Sequence, residues 1–388
     1  MDHVNDIRSI MLDFTASTGL SDSTREPRRY LWTDAFAVCN FLELSRQTGD
    51  ETFLLAARNL VDQVHFVLGR YSNDDSRKGW ISGLDERAGY EHPTVGGLRI
   101  GKKLVERKSD EPFDERLEWD RDGQYFHYLT KWMQALARIA VCTGDGHYQC
   151  WALELARASH AGFTYRPAAG KSRRMYWKMS VDLSRALVGS MGHHDPLDAL
   201  ITYLELKANS ARFGSSISDI NLESEIADCQ AMCEAKSWAT DDPLGTGSLL
   251  VDTWRLEQIK TRMDISVSVD LTSLLADCES GLEAFQHSGI LNYPAQHRLA
   301  FREFGLSTGL HALASLNDLA RHNTNRFSIA ERRQLARLGK FSYLSEVIEG
   351  FWLLPANWQV RTWREHADIN SVMLATSLAP DGYLSIFP

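Results

Sequence analysis

The sequence predicts an all-α protein, a closed (α/α)6 toroid of six helical hairpins. Apolar residues recur at helical rather than alternating spacing along most of the 388 residues. The turn Thr-Gly-Asp occurs twice, at 48–50 and 143–145, and separates an almost wholly apolar helix from an amphipathic one each time. Proline is scarce, 10 of 388 residues, against a usual share of about 5%. That suits long helices better than a turn-rich β protein.

The elements follow in order. Residues 2–17 read as a short amphipathic helix. Residues 31–47 carry Phe36, Val38, Cys39, Phe41, Leu42 and Leu44, and a helix apolar nearly all round is buried on several sides. Gly49 suits the left-handed residue that ends this helix, and Asp50 suits the N-cap of the amphipathic helix 51–69. The unit recurs as helix 123–142, Thr143-Gly144-Asp145 and helix 146–162. Further pairs are 178–212 (broken near Gly192) with 219–237, 243–262 with 267–286, and 297–322 with 328–352. Ser328-Ile329-Ala330-Glu331 reads as a capping box. Residues 364–378 are the last inner helix, and helix 2–17 its outer partner.

At about 150 residues per domain, the length allows two or three domains. A ring instead uses 1–388 as one domain and leaves no hairpin with an exposed apolar face. An open solenoid needs polar capping repeats, which neither terminus resembles. The segment 70–122 breaks the pattern, with strand-like stretches at 79–83 and 97–101. A long insertion rich in Trp, Tyr and Phe is functional rather than disordered. It covers the mouth of the barrel or, alternatively, mediates a homodimer.

Composition narrows the function. The net charge is −9, which argues against nucleic acid, since phosphate neutralisation needs a basic face. No apolar run approaches the ~18 residues that span a bilayer. Six cysteines without a CxxC pair fit free thiols in a reducing cytoplasm, and the N-terminus lacks a basic-then-apolar leader. No phosphate loop, GxSxG elbow or HExxH motif is present, so no cofactor or metal is expected. Eleven tryptophans exceed what a core needs and suit a sugar-binding surface.

Tyr30-Leu31-Trp32-Thr33-Asp34-Ala35-Phe36, then Thr48-Gly49-Asp50-Glu51 and Ala56-Ala57-Arg58, resemble the first hairpin of six-hairpin (α/α)6-barrel enzymes. These include the unsaturated glucuronyl hydrolases and, more distantly, the N-acylglucosamine 2-epimerases. The resemblance implies carbohydrate chemistry and leaves the reaction open. His193-His194-Asp195 is similar to a His-rich stretch of the hydrolases, but it precedes a different hairpin.

In such a ring the inner helices open onto one mouth, and their first residues converge. That places Asp122, Asp34, Glu303, His127 and His366 as catalytic candidates. Trp32, Trp119, Asp120, Tyr125, Trp177, Lys178, Arg302, Trp363 and Arg364 are the substrate-binding candidates. The inventory matches a glycoside hydrolase: two carboxylates about a bond, with aromatic platforms for sugar faces. Asp122 is the first choice, opposite Asp34 or Glu303. The cations suggest a sugar that is itself acidic. The alternatives are a sugar epimerase or isomerase using His127 and His366, and a non-enzymatic helical ligand-binding or scaffold protein. Structural roles compete at several positions. Asp34, Asp195 and Asp242 suit helix caps, His127 a core histidine, and Arg302-Glu303 and Arg364-Glu365-His366 buried ion pairs.

Overall fold

The computed structural model describes residues 3–21, 24–168, 172–214, 220–265, 267–323 and 325–387. Its helices are α1 (Val4–Ser17), α2 (Leu31–Thr48), α3 (Glu51–Leu68), α4 (Glu86–Glu91), α5 (Glu115–Asp120), α6 (Phe126–Thr143), α7 (Gly146–Phe163), α8 (Asp195–Phe213), α9 (Glu223–Cys233), α10 (Pro243–Arg262), α11 (Leu271–Ser288), α12 (Ala300–His322), α13 (Ile329–Leu338), α14 (Tyr343–Trp352), α15 (Arg361–Arg364), α16 (Ala367–Leu378) and α17 (Asp381–Leu384). Short strands β1 (Gln124–Tyr125), β2 (Thr164–Tyr165), β3 (Arg174–Met175), β4 (Lys178–Met179) and β5 (Ala186–Val188) complete it. The class is all-α and hairpin-built, as the periodicity predicts. Asp2, the first residue of the expected N-terminal helix, lies outside the described residues.

The chain divides into two compact units, residues 15–232 and residues 3–14 with 233–387. In the first, α2, α6 and α8 pack in sequence order, with α3 on α2 and α7 on α6. In the second, α10, α12 and α16 pack in sequence order, with α11 on α10 and both α13 and α14 on α12. The inner helices are buried almost around their circumference. Residues 31–44 of α2 have no exposed member. α3 buries one stripe, Phe53, Ala57, Leu60, Val61, Val64 and Leu68.

The two Thr-Gly-Asp turns repeat atom for atom. Gly49 and Gly144 both sit at φ 69°, the left-handed region where glycine carries no Cβ penalty. Thr48 Oγ1 donates to Leu44 O and Thr143 Oγ1 to Ile139 O, each at 2.6 Å. Each hydroxyl then accepts the N–H of the following aspartate, at 3.2 Å. Asp50 caps Thr52 N and Asp145 caps His147 N, both at 3.0 Å. Three residues thus end one helix and start the next.

In the second unit, glycines set a closer helix spacing. A Cβ on Gly247 of α10 would lie 2.1 Å from Gly305 O of α12, and one on Gly309 would lie 2.6 Å from the Gly247 Cα. Backbone meets backbone there.

Several elements differ from the sequence expectation. The stretch 178–190 is not helical. β4 pairs with β1 (Tyr125 opposite Lys178) and with β5 (Met179 opposite Ala186), all antiparallel. The helix begins only at Asp195, with Pro196 in its first turn. The strand-like stretches at 79–83 and 97–101 form no ladder; Trp80 makes a single bridge to Arg70. Gly97 and Gly101 hold positive φ, 75° and 95°, which strands do not use. A 3-10 turn at Gly339–Phe341 divides α13 from α14. The last inner helix starts at Ala367, so Arg364 and Glu365 precede it. Among the described residues no helix is long and apolar enough to cross a membrane.

Candidate functional site

The first unit carries an aromatic wall at the N-terminal ends of α2 and α6. Both helices are preceded by an extended tyrosine, Tyr30 and Tyr125, that makes no side-chain cap. Trp32 and His127 therefore stand at the same position, second in their helices. Their ring centroids are 6.1 Å apart. Tyr128 fills the space between, at 5.3 Å from Trp32 and 4.8 Å from His127. The Tyr30 and Tyr128 hydroxyls meet at 2.7 Å.

The β1–β4 pairing extends this wall. It brings Trp177, just before β4, to 5.2 Å from Tyr125. The His127 ring lies 6.4 Å from Trp177 and nearly parallel, at 12°. Trp119, at the end of α5, stands edge-on to Trp177 at 4.9 Å and is 49% exposed. Trp119, Trp177 and Tyr125 border a cavity of about 340 Å³, with Phe113, Glu115, Glu118, Val188 and Ser190. That is the size range of a small-ligand site.

Burial among these rings pushes His127 down to about 4; Asp198 opposes the shift and Lys131 adds to it. The ring is therefore neutral at pH 7, and 28% of its side chain stays open to solvent. Asp195 Oδ1 lies 4.0 Å from its Nδ1. Burial raises the Tyr125 and Tyr128 hydroxyls, so both are protonated.

The carboxylates singled out in the sequence as catalytic are structural ties. Asp122 is buried; its Oδ2 accepts from Arg99 Nη1 at 2.8 Å, and its Oδ1 from the N–H groups of Gly101 and Lys102, at 3.0 and 3.3 Å. It is no N-cap, since Tyr125 holds that position. Asp34 accepts from Tyr30 N at 2.9 Å and from Arg29 at 3.5 Å. Asp120 is exposed at the end of α5. Lys178 is wholly buried, and its ammonium donates to Glu118 Oε1, Glu118 O and Arg121 O. Three bonds use all its donors, so it is not the free cation the sequence suggests. Burial lowers its pKa against the pull of Glu118.

The remaining candidates belong to the second unit. Glu303 is buried and accepts from Arg298 Nε at 2.8 Å, Arg298 Nη2 at 2.5 Å and Trp352 Nε1 at 2.8 Å. Trp363 is buried and stacks flat on Trp358 at 5.1 Å. Arg302 reaches Asp242 Oδ1 at 2.7 Å, so Asp242 makes an ion pair instead of a side-chain cap. Arg364 is exposed and bonds Gln359, while Glu365 pairs with Arg361. His366 is exposed at the N-cap of α16, its ring edge-on to Phe301 at 5.6 Å. A larger cavity, about 510 Å³, opens at the C-terminal end of α10. It contains none of the singled-out residues, and its Lys260 and Arg326 are both paired with Glu257. We therefore place the candidate site at the smaller cavity and its aromatic wall.

Sequence reasoning missed Arg99, the partner of Asp122, because it lies 23 residues upstream in an irregular loop. It also missed Phe113 and Glu115 at the cavity. Their one sequence signal is Asp114, which caps the short helix α5.

No family model matches the chain, and no curated protein matches it in sequence. Among solved structures it is similar to cellobiose 2-epimerase from Spirochaeta thermophila DSM 6192, with a TM-score of 0.45 and 14% identity over 86% of this chain and 85% of that one. It is also similar to cellobiose 2-epimerase from Bacillus thermoamylovorans B4167, with a TM-score of 0.43 and 12% identity over 87% and 86%.

Proposed function

We propose that the chain is a carbohydrate-active enzyme that works by imidazole acid–base chemistry, a sugar epimerase or isomerase rather than a paired-carboxylate hydrolase. The observation that carries this is the contrast among the candidate groups. Asp34, Asp122 and Glu303 are buried and bound by arginines and N–H or indole donors. A carboxylate so engaged is poorly placed to take or give a proton. His127 is neutral, partly open, and set beside the rings that would carry a sugar face.

In this reading the sugar stacks along Trp119 and Trp177. A neutral His127 nitrogen takes the C–H proton next to the carbonyl of the open-chain sugar, leaving an enediolate and an imidazolium. Once the enediolate has turned over in the site, the imidazolium returns its proton to the other face and gives the epimer; returning it to the neighbouring carbon, with the hydroxyl proton passing between the two oxygens, gives the isomer, and His127 is neutral again. Asp195, at 4.0 Å, favours the imidazolium as it forms. Mass is conserved throughout.

The test is incubation with common mono- and disaccharides in D₂O. A product of unchanged skeleton that carries solvent deuterium is expected. New reducing ends without deuterium uptake would overturn the reading. His127→Asn should lower turnover by a factor on the order of 10² or more. His366→Asn, measured beside it, reports on the second histidine of the sequence reading. Because the active base is neutral His127, the acid limb of kcat/KM should fall near pH 4 rather than near the usual histidine value of 6.5.

A further inference from the structure

The cavity beside Trp119 has a donor and acceptor balance that bears on its substrate. Trp119, Trp177 and Phe113 supply faces and edges of rings, and Glu115 and Glu118 are the two charged residues that border it. Glu118 is neutralised from behind, by Lys178 at 2.9 Å and Arg107 at 3.0 Å. Neither cation borders the cavity, and both are bonded to the protein. Lys178 makes three bonds, and Arg107 donates to Glu118, Glu111 O and Leu187 O. Glu115 is exposed and carries no ion pair among the described residues.

A ligand carboxylate in this cavity would meet rings and a carboxylate, with no cation among the residues that border it. Losing its water without a charged partner is unfavourable. A protonated amine meets the opposite situation, since ring faces attract a cation and Glu115 can accept its hydrogen bonds. We propose that the cavity is selective for a saccharide bearing a protonated amine, and discriminates against uronic acids. This rests on the reading of the aromatic wall as a sugar site. It reverses the acidic sugar that the sequence suggested, because Lys178 is consumed inside the protein.

The test is binding of D-glucosamine, D-glucose and D-glucuronate at neutral pH, followed by tryptophan fluorescence and saturation-transfer NMR. Glucosamine should bind tightest and glucuronate weakest. Glu115→Gln should weaken glucosamine by up to about fivefold, the scale of an exposed ion pair, and remove most of its preference over glucose. Glucosamine no tighter than glucose, or an unaltered preference in Glu115→Gln, would overturn the selectivity and leave the sugar site standing. If no sugar binds, or if Trp119→Ala leaves binding intact, the sugar site itself fails, and the selectivity with it.

Discussion

Asp122 was the strongest catalytic candidate from its surroundings, an acidic and aromatic run before an apolar helix. The run was legible, but the fate of its acids was not. Trp119, Tyr125 and His127 do line one wall, because aromatic residues crowded at one helix start have few other places to go. A carboxylate's role depends on what reaches it, and Arg99 reaches Asp122 from a loop without periodicity. Asp122 fastens the insertion: it holds Arg99 and two N–H groups of the 99–102 segment. Asp122→Asn should therefore lower stability, where a purely catalytic group would leave it intact. Removing one partner of a buried pair costs about 3–5 kcal/mol. Arg99 keeps Arg70 O and Val67 O as acceptors, which points to the lower end, about 3 kcal/mol. Urea unfolding of the variant measures this. An unchanged midpoint would return Asp122 to the catalytic list.

At the scale of elements, hairpins with an explicit turn were readable and those without were not. Thr-Gly-Asp names its own hydrogen bonds, so α2–α3 and α6–α7 could be placed to within a few residues. The stretch 178–190 has helical composition, yet its backbone is claimed by β1, a long-range pairing with no local signal. The contact of α10 with α12 was equally hidden, since Gly247, Gly305 and Gly309 are informative only once paired. Gly247→Ala gains about 1 kcal/mol of helix propensity. Its new Cβ would lie 2.1 Å from Gly305 O, which is backbone and cannot rotate away. Overpacking of about 1–3 kcal/mol or more then decides the sign, and the variant should be less stable. Gly350 of α14 is the control. A Cβ there meets nothing within 4 Å, so Gly350→Ala should stabilise by about 0.5–1 kcal/mol. Thermal and urea unfolding of the two variants should move in opposite directions; the same direction would refute the close-contact argument.

For the whole molecule, the buried histidines set the response to acid. Burial pushes His65 down from 6.5 to about 3 and His127 to about 4, and it also lowers His160 despite Asp228. Each is neutral in the folded chain near neutral pH and takes up a proton near pH 6.5 when unfolded. The unfolded state thus binds more protons below that pH, and stability falls as pH drops, until each folded pKa is passed. The slope is about 1.4 kcal/mol per pH unit for each such group. The slope reaches only half that value at pH 6.5, so His65 and His127 together remove about 3 kcal/mol between pH 6.5 and pH 5. Carboxylates with lowered pKa values, such as Asp75, Asp182 and Glu349, lose their contribution only in more acid solution, so this window belongs to histidine. His65 separates the cause from general acid sensitivity. Its Nε2 accepts the indole N–H of Trp132 at 3.1 Å; an indole only donates, so protonating His65 there breaks the bond. His65→Gln keeps an acceptor and removes the titration. Urea unfolding at pH 6.5, 6 and 5 should show a steep fall for the natural chain and a fall smaller by about 1.5 kcal/mol for His65→Gln. An equal slope in both chains would mean that His65 titrates normally and is not held neutral by the fold.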